Sequence, residues 1–215
     1  HAVDPGRIDG VVMSSVVPGL TRTLADMIGR GLGQDVLRVD AGNAGLPIAY
    51  DNPAEVGADR LVNGVAALEM YGREVRPIVV VDFGTATTFD VISAAGEYLG
   101  GVICPGVEIS ADALHTRAAQ LPRVEVRKPA AVVGRSTVTS MQSGLFYGYV
   151  AMVEGIVRRL RDEIEGGARL LCIGTGGLAA EIAAETCLID RVQPDLTLAG
   201  LRFVWERIRQ GAANR

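Results

Sequence analysis

Ile78-Val-Val-Val-Asp-Phe-Gly-Thr-Ala-Thr-Thr-Phe-Asp-Val-Ile-Ser93 joins two strand-like runs through an acidic, glycine-containing turn. Residues 78–81 are apolar and β-branched, Asp82-Phe83-Gly84-Thr85 reads as the turn, and residues 86–92 resume with β-branched and aromatic side chains, so the stretch predicts a β-hairpin. Its chemistry lies in the turn. Gly84 admits close approach of a ligand to the backbone, threonine hydroxyls and backbone amides donate to phosphate oxygens, and the Asp82 carboxylate suits a cation beside them. That combination fits a nucleotide. Taken alone, the same residues also read as an ordinary tight turn whose threonines merely favour strands.

Outward from the hairpin, strands alternate with helices. Residues 10–17 read as a buried strand, 21–31 as a helix, and 36–39 as a second strand; a loop rich in Gly, Pro and Asn then leads to Gly57-Ala58-Asp59-Arg60, which opens a helix ending near Gly72. On the other side, residues 97–103 predict a third antiparallel strand, and Cys104-Pro105-Gly106 turns into a helix over about 108–120. Residues 124–126 make a possible short strand. A long helix is expected over 137–161, with Gly144, Gly148 and Gly155 marking close packing or a bend. A strand at 169–173, a glycine turn, a helix at 178–186 and a last helix at 197–209 complete the series. Such alternation argues for an α/β sheet with covered faces.

With 215 residues, 48% of them hydrophobic, and 27 glycines, the chain has enough apolar material for one large or two small globular domains. A net charge of −4 offers no basic field for wrapping nucleic acid, so the substrate is expected to be small. No apolar run reaches a membrane span and no signal pattern opens the chain, which points to a cytoplasmic protein with no membrane partner. Cys104, Cys172 and Cys187 are odd in number, lack Cys-x-x-Cys spacing and read as small core residues of a reducing compartment. With only His1 and His115 as histidines, a zinc site is not expected.

Three further motifs carry chemistry. Gly174-Thr175-Gly176-Gly177-Leu178-Ala179 formally fits G-x-G-x-x-A, yet a dinucleotide unit needs an acidic residue about 20 positions on, and Asp190 comes too early. The turn can still meet a nucleotide through backbone amides, or be a ligand-free strand-to-helix turn. Gly57-Ala58-Asp59-Arg60 sets a carboxylate beside a guanidinium at a helix start. Asp59 could be an N-cap with Arg60 solvated; an Asp to take a hydroxyl proton and an Arg to grip a carboxylate are equally what phosphate transfer to a carboxylate-bearing alcohol needs. His115-Thr116-Arg117 reads as a surface segment unless its helix meets a subunit interface. Glu108 and Asp112, four apart on that helix, read as surface.

Taken together, Tyr50, Gly57–Arg60, Asp82–Thr88, Gly101-Val-Ile-Cys-Pro-Gly106, Thr137 with Met141–Gly144, and Thr175–Ala179 resemble type III pantothenate kinase, over about residues 11–205. The resemblance implies a two-domain actin-like ATPase (ribonuclease H-like) α/β fold clasping ATP, with the N-terminal domain incomplete. Residues 1–75 would be the remainder of that domain and 76–215 the C-terminal one. It also implies transfer of the γ-phosphate of ATP to pantothenate, the first step of coenzyme A synthesis. By the same resemblance Asp59 is the general base; Tyr50, Gly57, Ala58 and Arg60 bind pantothenate, with Thr137 also touching substrate. Asp82 holds a monovalent cation, potassium or ammonium. Gly84 and Thr85 contact ATP phosphate, and Thr175, Gly176 and Gly177 lie near the nucleoside. ATP comes with Mg2+, and His115 and Arg117 resemble the pair that a homodimer partner lends to the substrate.

Members of this family begin with a hairpin carrying an Asp-x-Gly-Asn-Thr phosphate loop, which is not found before the strand at Gly10. The expectation is therefore that these 215 residues alone are inactive and that the biological protein carries roughly 40 to 60 more, the size of a few strands and a helix. Two alternatives remain at this level: a sugar kinase of the same superfamily, and a non-catalytic accessory factor in transcription.

Overall fold

The computed structural model describes residues 4–118 and 120–213. They form an α/β chain with helices around a mixed sheet. In chain order the elements are β1 (Val11–Met13), α1 (Pro18–Leu32), β2 (Val36–Arg38), α2 (Ala58–Tyr71), β3 (Ile78–Phe83), β4 (Ala86–Ile92), β5 (Tyr98–Pro105), α3 (Val107–Arg117), α4 (Thr137–Glu163), β6 (Leu171–Gly176), α5 (Ala179–Ala183), β7 (Arg191–Val192) and α6 (Leu196–Ala213). The hairpin predicted over 78–92 is present, with β3 and β4 antiparallel and Asp82 opposite Thr88. No strand forms at 124–126.

Two compact units are distinguished. The first takes residues up to Glu74, Gly96–Tyr98 and those from Leu196 on; the second takes Val75–Ala95 and Leu99–Asp195. The last helix, α6, returns to the first unit. The reason is packing on α2. Val62 and Leu61 of α2 are fully buried, and Gly200 of α6 lies so close that a Cβ there would meet the Val62 carbonyl oxygen at 2.0 Å. Thr197 Oγ1 donates to Asn63 Oδ1 at 2.8 Å across the same contact, and Arg207 pairs with Glu69 at 2.6 Å. Beside this helix pair, β1 and β2 form a short parallel ladder.

The second unit is built on the sheet order β5-β4-β3-β6-β7, with β3, β6 and β7 parallel. Val79 and Val81 on one face of β3 belong to a core completed by α4, which buries Met141, Leu145, Phe146, Tyr149, Val153, Val157 and Leu160 at helical spacing. That helix starts at a capping box, Ser136 with Thr139. Its glycines do not mark close packing: a Cβ at Gly144 or Gly148 would meet nothing within 4 Å, and one at Gly155 only the Arg159 side chain of the same helix at 3.4 Å. Gln142 and Ser143, buried on the same helix, satisfy backbone carbonyls of the irregular segment before it, those of Glu125 and Val132. Of the cysteines, Cys172 is buried and Cys104 half-buried, but Cys187 is exposed, against the expectation of a core residue. No helix of the described residues is long and apolar enough to cross a membrane.

Candidate active site

In the first unit the site residues gather at the start of α2. Its N-cap is Gly57, so Asp59 is not the cap but stands in the first turn, where the helix favours a negative group. Asp59 is half-buried, and its Oδ1 accepts from the Arg60 amide at 2.9 Å. A Cβ on Gly57 would come within 2.5 Å of Asp59 Oδ1, so any other residue there displaces that carboxylate. Arg60 is not solvated: it is 8% exposed, with its guanidinium carbon 5.7 Å from the centre of the Tyr98 ring. Tyr50, 37% exposed, sets its ring 6.4 Å from the same Tyr98 at a tilt of 59°. Gly57 and Ala58 also line a cavity of about 580 Å³ shared with Ser15, Val16, Val39 and Asp40. A larger cavity of about 1100 Å³, along α1 and β2, holds none of the predicted site residues.

In the second unit the glycine turns close on the hairpin tip. Register places Asp82 between Thr88 of β4 and Thr175 of β6, so two residues far apart in sequence flank the one carboxylate. Asp82 is half-buried, Gly84 and Thr85 are exposed, and Thr175 is buried. Gly176 has φ +88, and a Cβ on it would meet the Phe83 carbonyl oxygen at 2.6 Å and Asp82 Oδ1 at 2.8 Å; only glycine fits there. The Gly177 amide donates to the Phe83 carbonyl at 3.2 Å, tying the two turns together. Gly106, at the N-cap of α3, lies under the tip, where a Cβ would meet the carbonyl oxygens of Thr85 and Gly84 at 2.1 and 2.6 Å. The Gly106 turn is in turn fixed by Tyr149, whose hydroxyl donates to the Pro105 carbonyl at 2.7 Å and stands 2.7 Å from Ser110 Oγ.

His115 and Arg117 are exposed at the end of α3; His115 Nδ1 lies 2.9 Å from the Leu121 carbonyl, and Arg117 borders a cavity of about 450 Å³ with Ser110, Ala113 and Leu114. Glu108 and Asp112 are exposed as expected, Asp112 pairing with Arg123 at 3.0 Å. Thr137 is exposed in the first turn of α4. Two residues were given no role from sequence: Tyr98, whose contact with Arg60 and Tyr50 requires pairing of distant segments, and Gly106, read only as the end of the Cys104-Pro105-Gly106 turn. Among the described residues no cluster of three or more His, Cys, Asp or Glu side chains could hold a metal ion.

The chain as a whole is similar to known proteins. A family model described as type III pantothenate kinase matches residues 1–159. A type III pantothenate kinase of Moorella thermoacetica is 53% identical over 208 residues, covering 96% of this chain and 80% of that protein. One of Koribacter versatilis is 50% identical, covering 99% of this chain and 76% of that protein. Among solved structures, a protein of Campylobacter jejuni described as a Baf family transcriptional activator superposes with a TM-score of 0.60 over 95% of this chain and 85% of that one, at 18% identity, which speaks to fold alone. On the family model and the identity of its relatives, this chain belongs to the type III pantothenate kinase family.

Proposed function

We propose that the chain transfers the γ-phosphate of ATP to the primary hydroxyl of pantothenate, giving 4'-phosphopantothenate in the first step of coenzyme A biosynthesis, on a two-domain actin-like framework. The observation that carries this reading is the start of α2, where a half-buried carboxylate and a buried guanidinium sit side by side in a chain half-identical to kinases of that name. Phosphoryl transfer asks the protein to align donor and acceptor and to offset spreading negative charge. Asp59 takes the proton of the attacking hydroxyl. Arg60 grips the pantothenate carboxylate, and Tyr50, Gly57 and Ala58 shape the surface around it.

Gly84 and Thr85 meet the ATP phosphates, and Thr175, Gly176 and Gly177 the nucleoside side. Asp82 would hold a monovalent cation. The donor set fits a weakly charged, oxygen-bound ion: one carboxylate beside threonines and turn carbonyls. When bound, that ion and the Mg2+ that arrives with ATP lessen the charge on the transferred group. His115, Arg117 and Thr137 are assigned to substrate contacts in a homodimer, the first two lent by the partner subunit. The apolar surface of Ile103, Ile109 and Leu114, 63%, 47% and 37% exposed, supports a second copy on the α3 side.

The test is a coupled assay of the full-length protein with ATP and a panel of pantothenate and hexosamines, with and without potassium. Pantothenate-dependent ADP release that needs the monovalent ion is expected. Turnover of a hexosamine instead, or no turnover of pantothenate, refutes the reading.

A further inference from the structure

We propose that Tyr98 is a positioning residue for substrate recognition, acting through Arg60 and Tyr50; this rests on the reading above, in which those two meet pantothenate. Tyr98 is fully buried and heads the fully buried side chains in size. It therefore touches no substrate itself. Its backbone is held on both sides: the Tyr98 amide donates to the Pro47 carbonyl and its carbonyl accepts from the Ala49 amide, each at 2.8 Å. Gly96, with φ +83, turns the chain just before it in a conformation that suits glycine. One short backbone ladder thus fixes both Tyr98 and the strand-like residues that lead directly into Tyr50.

The ring then works in two directions. Its face lies under the Arg60 guanidinium at 5.7 Å, and the Tyr50 ring leans on it at 6.4 Å. A guanidinium is a planar fork that binds a carboxylate well only when its plane is set, and an aromatic face beneath it restricts that plane. Holding Arg60 and Tyr50 in place before binding removes ordering cost from the binding step. The role is thus in affinity for the acceptor, with no part in the proton transfer or in ATP binding.

The experiment is steady-state kinetics of the full-length enzyme carrying Tyr98→Leu, Arg60→Ala and both. Tyr98→Leu is expected to raise the KM for pantothenate roughly tenfold, the scale of a desolvated cation–π contact, with the KM for ATP within about twofold. In the Arg60→Ala background the same change adds clearly less than it does in the parent, only the share carried by Tyr50, because one of the two residues it positions is gone. Tyr98→Phe, which keeps the ring, restores most of the loss. Should Tyr98→Leu not fold, increasing ring fluorination of a phenylalanine at position 98 weakens the face at nearly constant size, and the KM for pantothenate should climb with it. A purely structural Tyr98 would lower stability with both KM values unmoved, or raise both alike, and either result overturns the proposal. An Arg60→Ala enzyme with raised KM beside an unmoved Tyr98→Leu enzyme sinks the positioning role alone. An unchanged KM in Arg60→Ala sinks the substrate assignment, and this proposal with it.

Discussion

Replacing Gly106 by alanine tests how tightly the phosphate turn is supported. The backbone there has φ −68 and ψ 156, open to any residue, so the cost of Gly106→Ala is steric alone. The new methyl would start 2.1 Å from the Thr85 carbonyl oxygen, whereas ordinary contact begins at 3.4 Å, so one partner must retreat by about 1.3 Å. The α3 side resists, because Tyr149 Oη holds the Pro105 carbonyl at 2.7 Å. The exposed tip, Gly84–Thr85, gives way instead. Overpacking of this kind costs about 1–3 kcal/mol, which in a chain of this size lowers Tm by roughly 2–12 °C. The chemical effect is larger, since a misplacement of about 1 Å in a positioned group can cost on the order of a hundredfold. The expected result is a KM for ATP raised at least about tenfold, with the KM for pantothenate within about twofold. Initial rates with each substrate varied in turn, and thermal melts with and without ATP, measure both. Wild-type ATP kinetics in a folded Gly106→Ala enzyme would refute the assignment of the tip to ATP.

Asp59→Asn should lower kcat by about a hundredfold or more, as loss of a general base does, while leaving ATP affinity by calorimetry unchanged; retained turnover removes Asp59 from the chemistry. Burial, and after it the Asp190 carboxylate, pushes the Cys172 thiol up to about 12 from its ordinary 9.0. Above pH 9.0 the unfolded chain therefore loses a proton that the native chain keeps, so this group's contribution to stability is full below that pH and is lost as pH rises toward 12, at most about 1.4 kcal/mol per pH unit. Urea unfolding at pH 8 and 10.5 should show a steeper fall for the parent than for Cys172→Ala, and equal slopes would count against it. Gly148→Ala, on an exposed helical position where the methyl meets nothing within 4 Å, should add about 0.5–1 kcal/mol in chemical denaturation; a lower midpoint would mean that this face of α4 is covered.

Much of the local structure was legible because period and punctuation agree. The β-branched runs at 78–81 and 86–92 could bury only as strands, but the turn expected over Asp82–Thr85 narrows to Gly84 and Thr85, because Asp82 and Phe83 pair with Thr88 and Thr87 inside β3. Boundaries were less legible where packing sets them. The strand expected at 10–17 is only Val11–Met13, and the two-residue strand at 191–192 carries no periodic signal at all. Cys187 was read as core from apolar neighbours in sequence, and exposure depends instead on neighbours in space.

The residue types and spacing by themselves determined the hairpin, the helix opened by Gly57–Arg60 and the chemistry these can support, since those depend on side chains a few positions apart. Tertiary structure decided what no spacing holds. It placed Thr175 beside Asp82 through the parallel pairing of β3 with β6, set Gly106 under the Thr85 carbonyl, returned α6 to α2, and slid Tyr98 between Tyr50 and Arg60. Each is a contact between segments remote in sequence, fixed by where apolar faces must be buried and backbone groups paired, and so it exists only once the whole chain has folded.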